Sequence, residues 1–252
     1  MQQLNDVFIV DAVRTPIGRF GGVLSGIRPD DMLAFTIRAL LGRNESIDPA
    51  SIEDIIAGAA NQAGEDNRNV ARMAALLAGL PVTVAGNTVN RLCASGLQAI
   101  MDASRQIRCG DAEVIVACGV ESMTRAPFVT AKASQPFQRV TETYDTTLGW
   151  RFINPQLAAQ YPPFSMGETA ENVARQWNIS REEQDQFALS SQQKYAAAKA
   201  ASLWDDEIVP VEVTRDGLIS WVVEDEHPRT TSLEKLAKLK PAFKKRRNRY
   251  RR

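Results

Sequence analysis

The chain has 252 residues, 30 basic against 30 acidic, and is 44% hydrophobic and 24% charged, the balance of a soluble globular protein with enough length for one large or two ordinary domains. No long apolar run implies a membrane span, and Met1-Gln2-Gln3-Leu4-Asn5-Asp6 has no basic stretch followed by an apolar one, so no secretory signal is expected. Three cysteines, Cys93, Cys109 and Cys118, are odd in number and lack C-x-x-C spacing, which argues against a disulfide framework or a zinc site and for a reducing, cytoplasmic setting.

Val7-Phe8-Ile9-Val10 with Ala12 and Val13 predicts a buried strand that ends at Arg14-Thr15-Pro16-Ile17-Gly18. Helical spacing of Met32, Leu33, Ile37, Leu40 and Leu41 predicts a helix over 30–42, and Asp54 to Ala60 reads as a second strand. Asn61 to Asn69 is a polar loop, and Val70 to Ala78 an alanine-rich helix stopped by Gly79 and Pro81.

Next comes Asn87-Thr-Val-Asn-Arg-Leu-Cys-Ala-Ser-Gly-Leu-Gln-Ala-Ile100, which reads as strand, tight turn, then a helix running to Cys109 and Gly110. Cys93 stands at the helix start, where unsatisfied N–H groups and the positive helix end favour thiolate, the nucleophilic form. It is either a nucleophile or a small buried apolar residue, and its own neighbourhood leaves both open. Glu113 to Gly119 supplies a further strand, so residues 1–119 repeat strand and helix as a layered α/β domain with a largely parallel sheet.

Beyond Gly119, residues 120–165 lose periodicity and predict a long irregular segment pinned by Phe128, Trp150, Phe152 and Tyr161; such loops usually serve a site. Helical signals return at Met166, and Ser180-Arg-Glu-Glu183 is a capping box opening a helix to about Ala201. Glu207 to Val213 alternates as an edge strand, its Pro210 excluding a central place.

With these residues in view the chain resembles the thiolases, the acyl-CoA C-acyltransferases. The stretches are Asp11-Ala-Val-Arg-Thr-Pro-Ile-Gly18, Asn90-Arg-Leu-Cys-Ala-Ser-Gly-Leu97, Gly119-Val-Glu-Ser-Met-Thr-Arg-Ala-Pro127, Met166-Gly-Glu-Thr-Ala-Glu-Asn-Val-Ala174, Ser180-Arg-Glu-Glu-Gln-Asp185 and Leu239-Lys-Pro-Ala-Phe243. Ala60 to Met73 and Asp145 to Pro155 look like the 3-oxoadipyl-CoA thiolases, with acetoacetyl-CoA and longer 3-oxoacyl-CoA substrates left open. The resemblance implies an α/β fold in layers αβαβα, built from two similar halves with a substrate-covering loop domain inserted in the first. Residues 1–119 match the first half and 120–243 the loop domain, so the C-terminal half is expected to be missing.

It implies further that Cys93 accepts the acyl group, that coenzyme A is a substrate with no bound cofactor or metal, and that the intact family form is a homo-oligomer. Ser165 and Met166 match the pair lining the pantetheine slot, Arg229 an arginine facing the nucleotide end, and Phe243 an aromatic beside the nucleotide; ordinary packing is the alternative for Met166 and Phe243. Glu65, Asp66 and Arg68 match a loop near subunit contacts, or are simply a solvated loop. Ala94 replaces a glycine common in the family, a change tolerated where φ is negative. The family's histidine, second cysteine and Asn-held water belong to the second half. Here His227 reads as a surface residue, and Cys109 and Cys118 as structural.

Lys244-Lys-Arg-Arg-Asn-Arg-Tyr-Arg-Arg252 carries seven of the 30 basic residues and leaves the body acidic. It could attract nucleic acid. The reading preferred here is that residues 246–252 are a frameshift product, because one coding string for them, read one base later, encodes the glycine-rich continuation of a thiolase; no nucleic-acid or membrane partner is then expected. Sequencing the coding DNA tests this: a displaced frame that encodes no thiolase second half would refute it.

Overall fold

The computed structural model describes residues 4–243, so the basic tail over 244–252 lies outside the described residues. In chain order the elements are α1 (Pro29–Arg43), β1 (Asp54–Gly58), α2 (Val70–Leu77), β2 (Ala85–Val89), α3 (Ser95–Cys109), β3 (Ile115–Gly119), β4 (Phe128–Thr130), β5 (Thr143–Asp145), α4 (Pro155–Gln160), α5 (Met166–Gln176), α6 (Arg181–Ala200), β6 (Val211–Arg215), β7 (Leu218–Val222) and α7 (Leu233–Ala237). Two compact units result. The first holds the described residues up to Pro127 with Asp205–His227, and the second holds Phe128–Trp204 with the residues from Pro228 on.

In the first unit β2, β1 and β3 form a parallel sheet in that order, with Ile56 opposite Asn87 on one side and Ala117 on the other. A central parallel strand is covered on both faces, and β1 shows it: Ile55, Ile56 and Ala57 are fully buried. Alternation sends Ile55 and Ala57 into a core with Leu33 and Ile37 of α1 and Val70 and Ala74 of α2, while Ile56 meets Ala99 and Ala103 of α3 on the opposite face. The expected layered α/β arrangement is therefore present. Asn69 caps α2 by accepting from the Arg72 N–H at 3.3 Å.

The expected strand over 7–13 is not formed. Among the described residues this run pairs with no strand, and Phe8, Ile9 and Val10 are 76–78% exposed. An apolar run becomes a strand only when a sheet edge accepts its backbone groups, which is a long-range matter. Asn5 N–H donates to the Arg108 carbonyl ahead of this run, and strand-like backbone pairing comes only after it, at Arg14, whose N–H donates to the Glu207 carbonyl at 2.8 Å and whose carbonyl accepts from Val209 N–H at 2.9 Å.

That contact explains why 205–227, sequence-assigned to the loop segment, belongs to the first unit. The Arg14 guanidinium donates to Glu207 at 2.6 Å and to both Asp225 oxygens at 2.7 and 3.2 Å, and Asp225 also accepts the Ile17 N–H. Glu226 accepts the Arg19 and Val23 N–H groups, and these bonds hold its carboxyl below the usual range. Residues 120–127 are tied in likewise: Glu121 accepts the N–H of Ala60 at 2.8 Å and of Asn61 at 3.3 Å. Between these anchors β6 and β7 form a two-stranded antiparallel hairpin that turns at Asp216 and Gly217, both at positive φ. Pro210 lies just before β6, outside its ladder.

The second unit is built from local signals. Ser165 and Ser180 open α5 and α6 with full capping boxes. Arg181 pairs with Asp185 at 2.8 Å and donates to the Leu236 carbonyl at 2.6 Å, tying α6 to the end of α7. The stretch expected to be irregular contains the short antiparallel pair β4–β5 and the six-residue α4. None of the helices α4 to α7 has a fully buried residue.

A candidate thiol site at the start of the third helix

Cys93 lies in the five-residue turn between β2 and α3, two residues before the helix begins. Its side chain is exposed, which excludes the buried apolar alternative. Leu92 takes the left-handed conformation at φ 51°, a strained geometry for a γ-branched residue that persists only where neighbours over-determine it. They do so here. Asn90 accepts the Leu92 N–H at 2.9 Å through its side-chain oxygen and donates to the Ala60 carbonyl at 2.9 Å. Ser95 is buried, and its Oγ accepts the Arg91 N–H at 2.8 Å while donating to the Leu92 carbonyl at 2.6 Å. One hydroxyl thus pins both sides of the residue before the thiol.

The turn is also held close against the sheet. A methyl group placed on Gly58, the last residue of β1, would lie 2.3 Å from the Ser95 carbonyl carbon and 2.4 Å from the Gly96 nitrogen. Only glycine allows this approach. Ala94 has φ −95°, the negative value its substitution for glycine requires, and it offers α3 no side-chain cap. The Ser95 N–H is taken by the Leu92 carbonyl at 3.0 Å, and the Gly96 and Leu97 N–H groups are left to stabilise negative charge that develops nearby.

Other titratable groups are placed away from this thiol. Cys109 ends α3, about 21 Å along the helix at 1.5 Å per residue. Cys118, on β3, is buried against the Ile56 carbonyl, and desolvation pushes its thiol up to about 12. His227 is exposed, and among the described residues no hydrogen bond joins Cys93 to any histidine or cysteine. Nor is any group of three His, Cys, Asp or Glu residues spaced to hold a metal among the described residues.

A larger depression in the first unit, about 600 Å³ and lined by Arg28, Glu65 and Arg125, does not include Cys93. Its cations are already committed: Arg125 grips Glu65 through two 2.5 Å bonds, and Arg28 reaches the same carboxylate at 3.2 Å. Glu65 is thus an ion-pair hub and not a solvated loop residue, and its carboxyl is held below the usual range mainly by Arg125. Asp66 beside it is buried without such a cation, and desolvation raises its pKa to about 6.

Of the residues matched to coenzyme A contacts, three come together within the second unit. Ser165 caps α5, exposed Met166 is its first residue, and the Phe243 ring lies so close over Gly167 that a methyl there would sit 2.3 Å from it. The Ser165 hydroxyl is spent on the capping box, donating to Glu168 at 2.9 Å. Arg229 is anchored through its N–H to Gln192 at 2.9 Å, which leaves its exposed side chain to solvent. Sequence reasoning missed Ser95 and Gly58. Ser95 had a local signal, a serine able to bond back across a tight turn, whereas Gly58 is 35 or more residues away and had none.

The first unit is a three-layered α/β unit that presents an exposed cysteine on a tethered turn at a helix start, a placement from which a thiol can act as a nucleophile. The thiolase N-terminal domain matches residues 7–247, and the chain belongs to the thiolase family. It is 54% identical over 96% of its length to the 3-oxoadipyl-CoA/3-oxo-5,6-dehydrosuberyl-CoA thiolase of Escherichia coli K12 and 55% identical over the same share to a beta-ketoadipyl-CoA thiolase of Acinetobacter baylyi. Among solved structures it matches the acetyl-CoA acetyltransferase of Bacillus anthracis with a TM-score of 0.84 and 40% identity, covering 96% of this chain and 60% of that one. The chain spans 61% of the length of the two enzymes named first.

Proposed function

We propose that this chain supplies the acyl-accepting part of a 3-oxoacyl-CoA thiolase, with 3-oxoadipyl-CoA the substrate its relatives' names point to. The observation that carries this is the exposed Cys93, held by Ser95 and Gly58 at the open start of α3. In thiolysis the Cys93 thiolate adds to the C3 carbonyl and the C2–C3 bond breaks. The electron pair leaves with acetyl-CoA as its enolate, which takes up a proton; the acyl thioester then passes to the thiol of a second coenzyme A and frees Cys93. Coenzyme A is a substrate in this scheme, and no cofactor is needed.

Ser165, Met166 and Phe243, gathered at the start of α5, and Arg229 are the proposed coenzyme A contacts. The partners are small acyl-CoA molecules in the cytoplasm, a setting supported by the three free cysteines and by the lack, among the described residues, of a helix long and apolar enough to cross a membrane. The exposed Phe8, Ile9 and Val10 support association with further copies.

Cys109 sits at the far end of α3, the Cys118 thiol is pushed up to about 12 by desolvation, and among the described residues no histidine bonds Cys93, which favours a second reading: residues 4–243 accept an acyl group but do not turn over. Mass spectrometry after incubation with acetyl-CoA, together with an assay for acetyl-CoA released from 3-oxoadipyl-CoA and coenzyme A, separates the two. An acetyl adduct on Cys93 with turnover supports the first reading, and an adduct without turnover the second. No adduct defeats both.

A further inference from the structure

A cavity of about 170 Å³ lies wholly within the second unit, walled by Trp150, Phe152, Ile153, Leu157 and Tyr161, with Arg151 in its lining. It is below the roughly 300–1,000 Å³ of sites that take whole drug-sized ligands, so it suits the end of a chain and not a nucleotide. Its walls are braced. The Trp150 indole N–H donates to the Phe164 carbonyl at 3.1 Å, and Phe152 packs edge-on to Tyr144 with ring centres 5.0 Å apart.

Arg151 is the anomaly. Five arginines are half-buried among the described residues. Arg14 and Arg125 hold carboxylates, Arg181 holds a carboxylate and carbonyls, and Arg72 donates to the carbonyls of Val84 and Val82. Arg151 makes no hydrogen bond or ion pair among the described residues. With no acceptor among the described residues, the Arg151 guanidinium keeps its donors for a ligand, and its planar fork fits a carboxylate bidentately.

We propose that Arg151 is the residue that reads the free carboxylate at the far end of the acyl chain, the group by which 3-oxoadipyl-CoA differs from a simple 3-oxoacyl-CoA. This rests on the acyl-CoA reading above and names the residue that would select within it. The methylenes of the chain lie against the aromatic and aliphatic walls, and the carboxylate pairs with the guanidinium fork.

Titration calorimetry of the full chain with succinyl-CoA and butyryl-CoA tests this, because the two share coenzyme A and a four-carbon acyl group and differ in a terminal carboxylate against a methyl. Succinyl-CoA should bind roughly tenfold more tightly, the scale of one charge-assisted hydrogen-bonded pair. Arg151→Met should bring succinyl-CoA down to the butyryl-CoA level and leave butyryl-CoA unchanged, and Arg151→Lys should keep part of the preference. Because Arg151 has no partner to lose, the unfolding midpoint of both variants should match the parent. A preference that survives Arg151→Met, or an equal loss of both esters, as expected if Arg151 held the phosphates of coenzyme A, overturns the proposal. Equal binding of both esters to the parent overturns it while leaving the acyl-CoA reading intact. Binding of neither ester defeats that reading and the proposal together.

Discussion

The Cys93 turn and the start of α5 are both helix N-termini that carry candidate chemistry, but they are built in different ways. The turn before α3 has no side-chain cap and is held by a buried serine and, from a distance, by a glycine one helix and one strand earlier. The start of α5 is closed by its own capping box, with Met166 and Phe243 exposed beside it. A reacting group needs a rigid support that leaves its helix end open. A contact surface for a flexible ligand needs only exposed side chains at a stable end.

Replacing Cys93 by serine should have the largest effect on chemistry: the acyl adduct disappears in mass spectrometry while the unfolding midpoint barely moves, since the thiol is exposed. Gly58→Ala should damage the turn most in stability, by about 1–3 kcal/mol in denaturant unfolding and with slower acylation, because the new methyl meets backbone at 2.3 Å. Ser95→Ala removes both hydrogen bonds of a buried hydroxyl and should cost about 1–2 kcal/mol; acylation as fast as in the parent would show that the tether does not position the thiol.

A pH effect arises remote from the thiol. Asp66 has a folded pKa of about 6 against an ordinary 3.8. Folding therefore favours its protonated form, and the stability it contributes is fully present below the unfolded value and lost as pH rises through about 6. Asp66→Asn should flatten stability between pH 4 and 7, as read by unfolding midpoints across that range; an unchanged slope would place the titration elsewhere. Met166→Ala and Phe243→Ala should change stability least, within about 0.5 kcal/mol for exposed side chains, while weakening coenzyme A binding. If they leave binding unchanged, these residues are packing alone.

Local rules made much of this legible. Asn69, Ser165 and Ser180 mark helix starts within a few residues, and each caps its helix as its spacing predicts. The sheet strands at 54–58 and 115–119 fall inside short apolar runs, and the strand at 85–89 is marked by β-branched Thr88 and Val89. Residues 7–13 have the same texture but no strand forms, because texture does not supply a partner edge. The β6–β7 hairpin was half visible. Pro210 marked an edge strand correctly, but the Asp216-Gly217 turn signal, with Leu218 to Val222 beyond it, went unread.

By itself the sequence determined the family, the α/β layering and the placing of Cys93 at a helix start, because these depend on residue order and on spacing within one turn or one strand. Only the tertiary structure decided that the thiol is exposed, that Ser95 and Gly58 hold its turn, that Asp225 and Glu226 draw residues 205–227 into the first unit, and that Arg151 has no partner among the described residues. Each of these depends on groups far apart in the chain meeting at hydrogen-bond or van der Waals distance, and no local pattern encodes where the folded backbone brings them together.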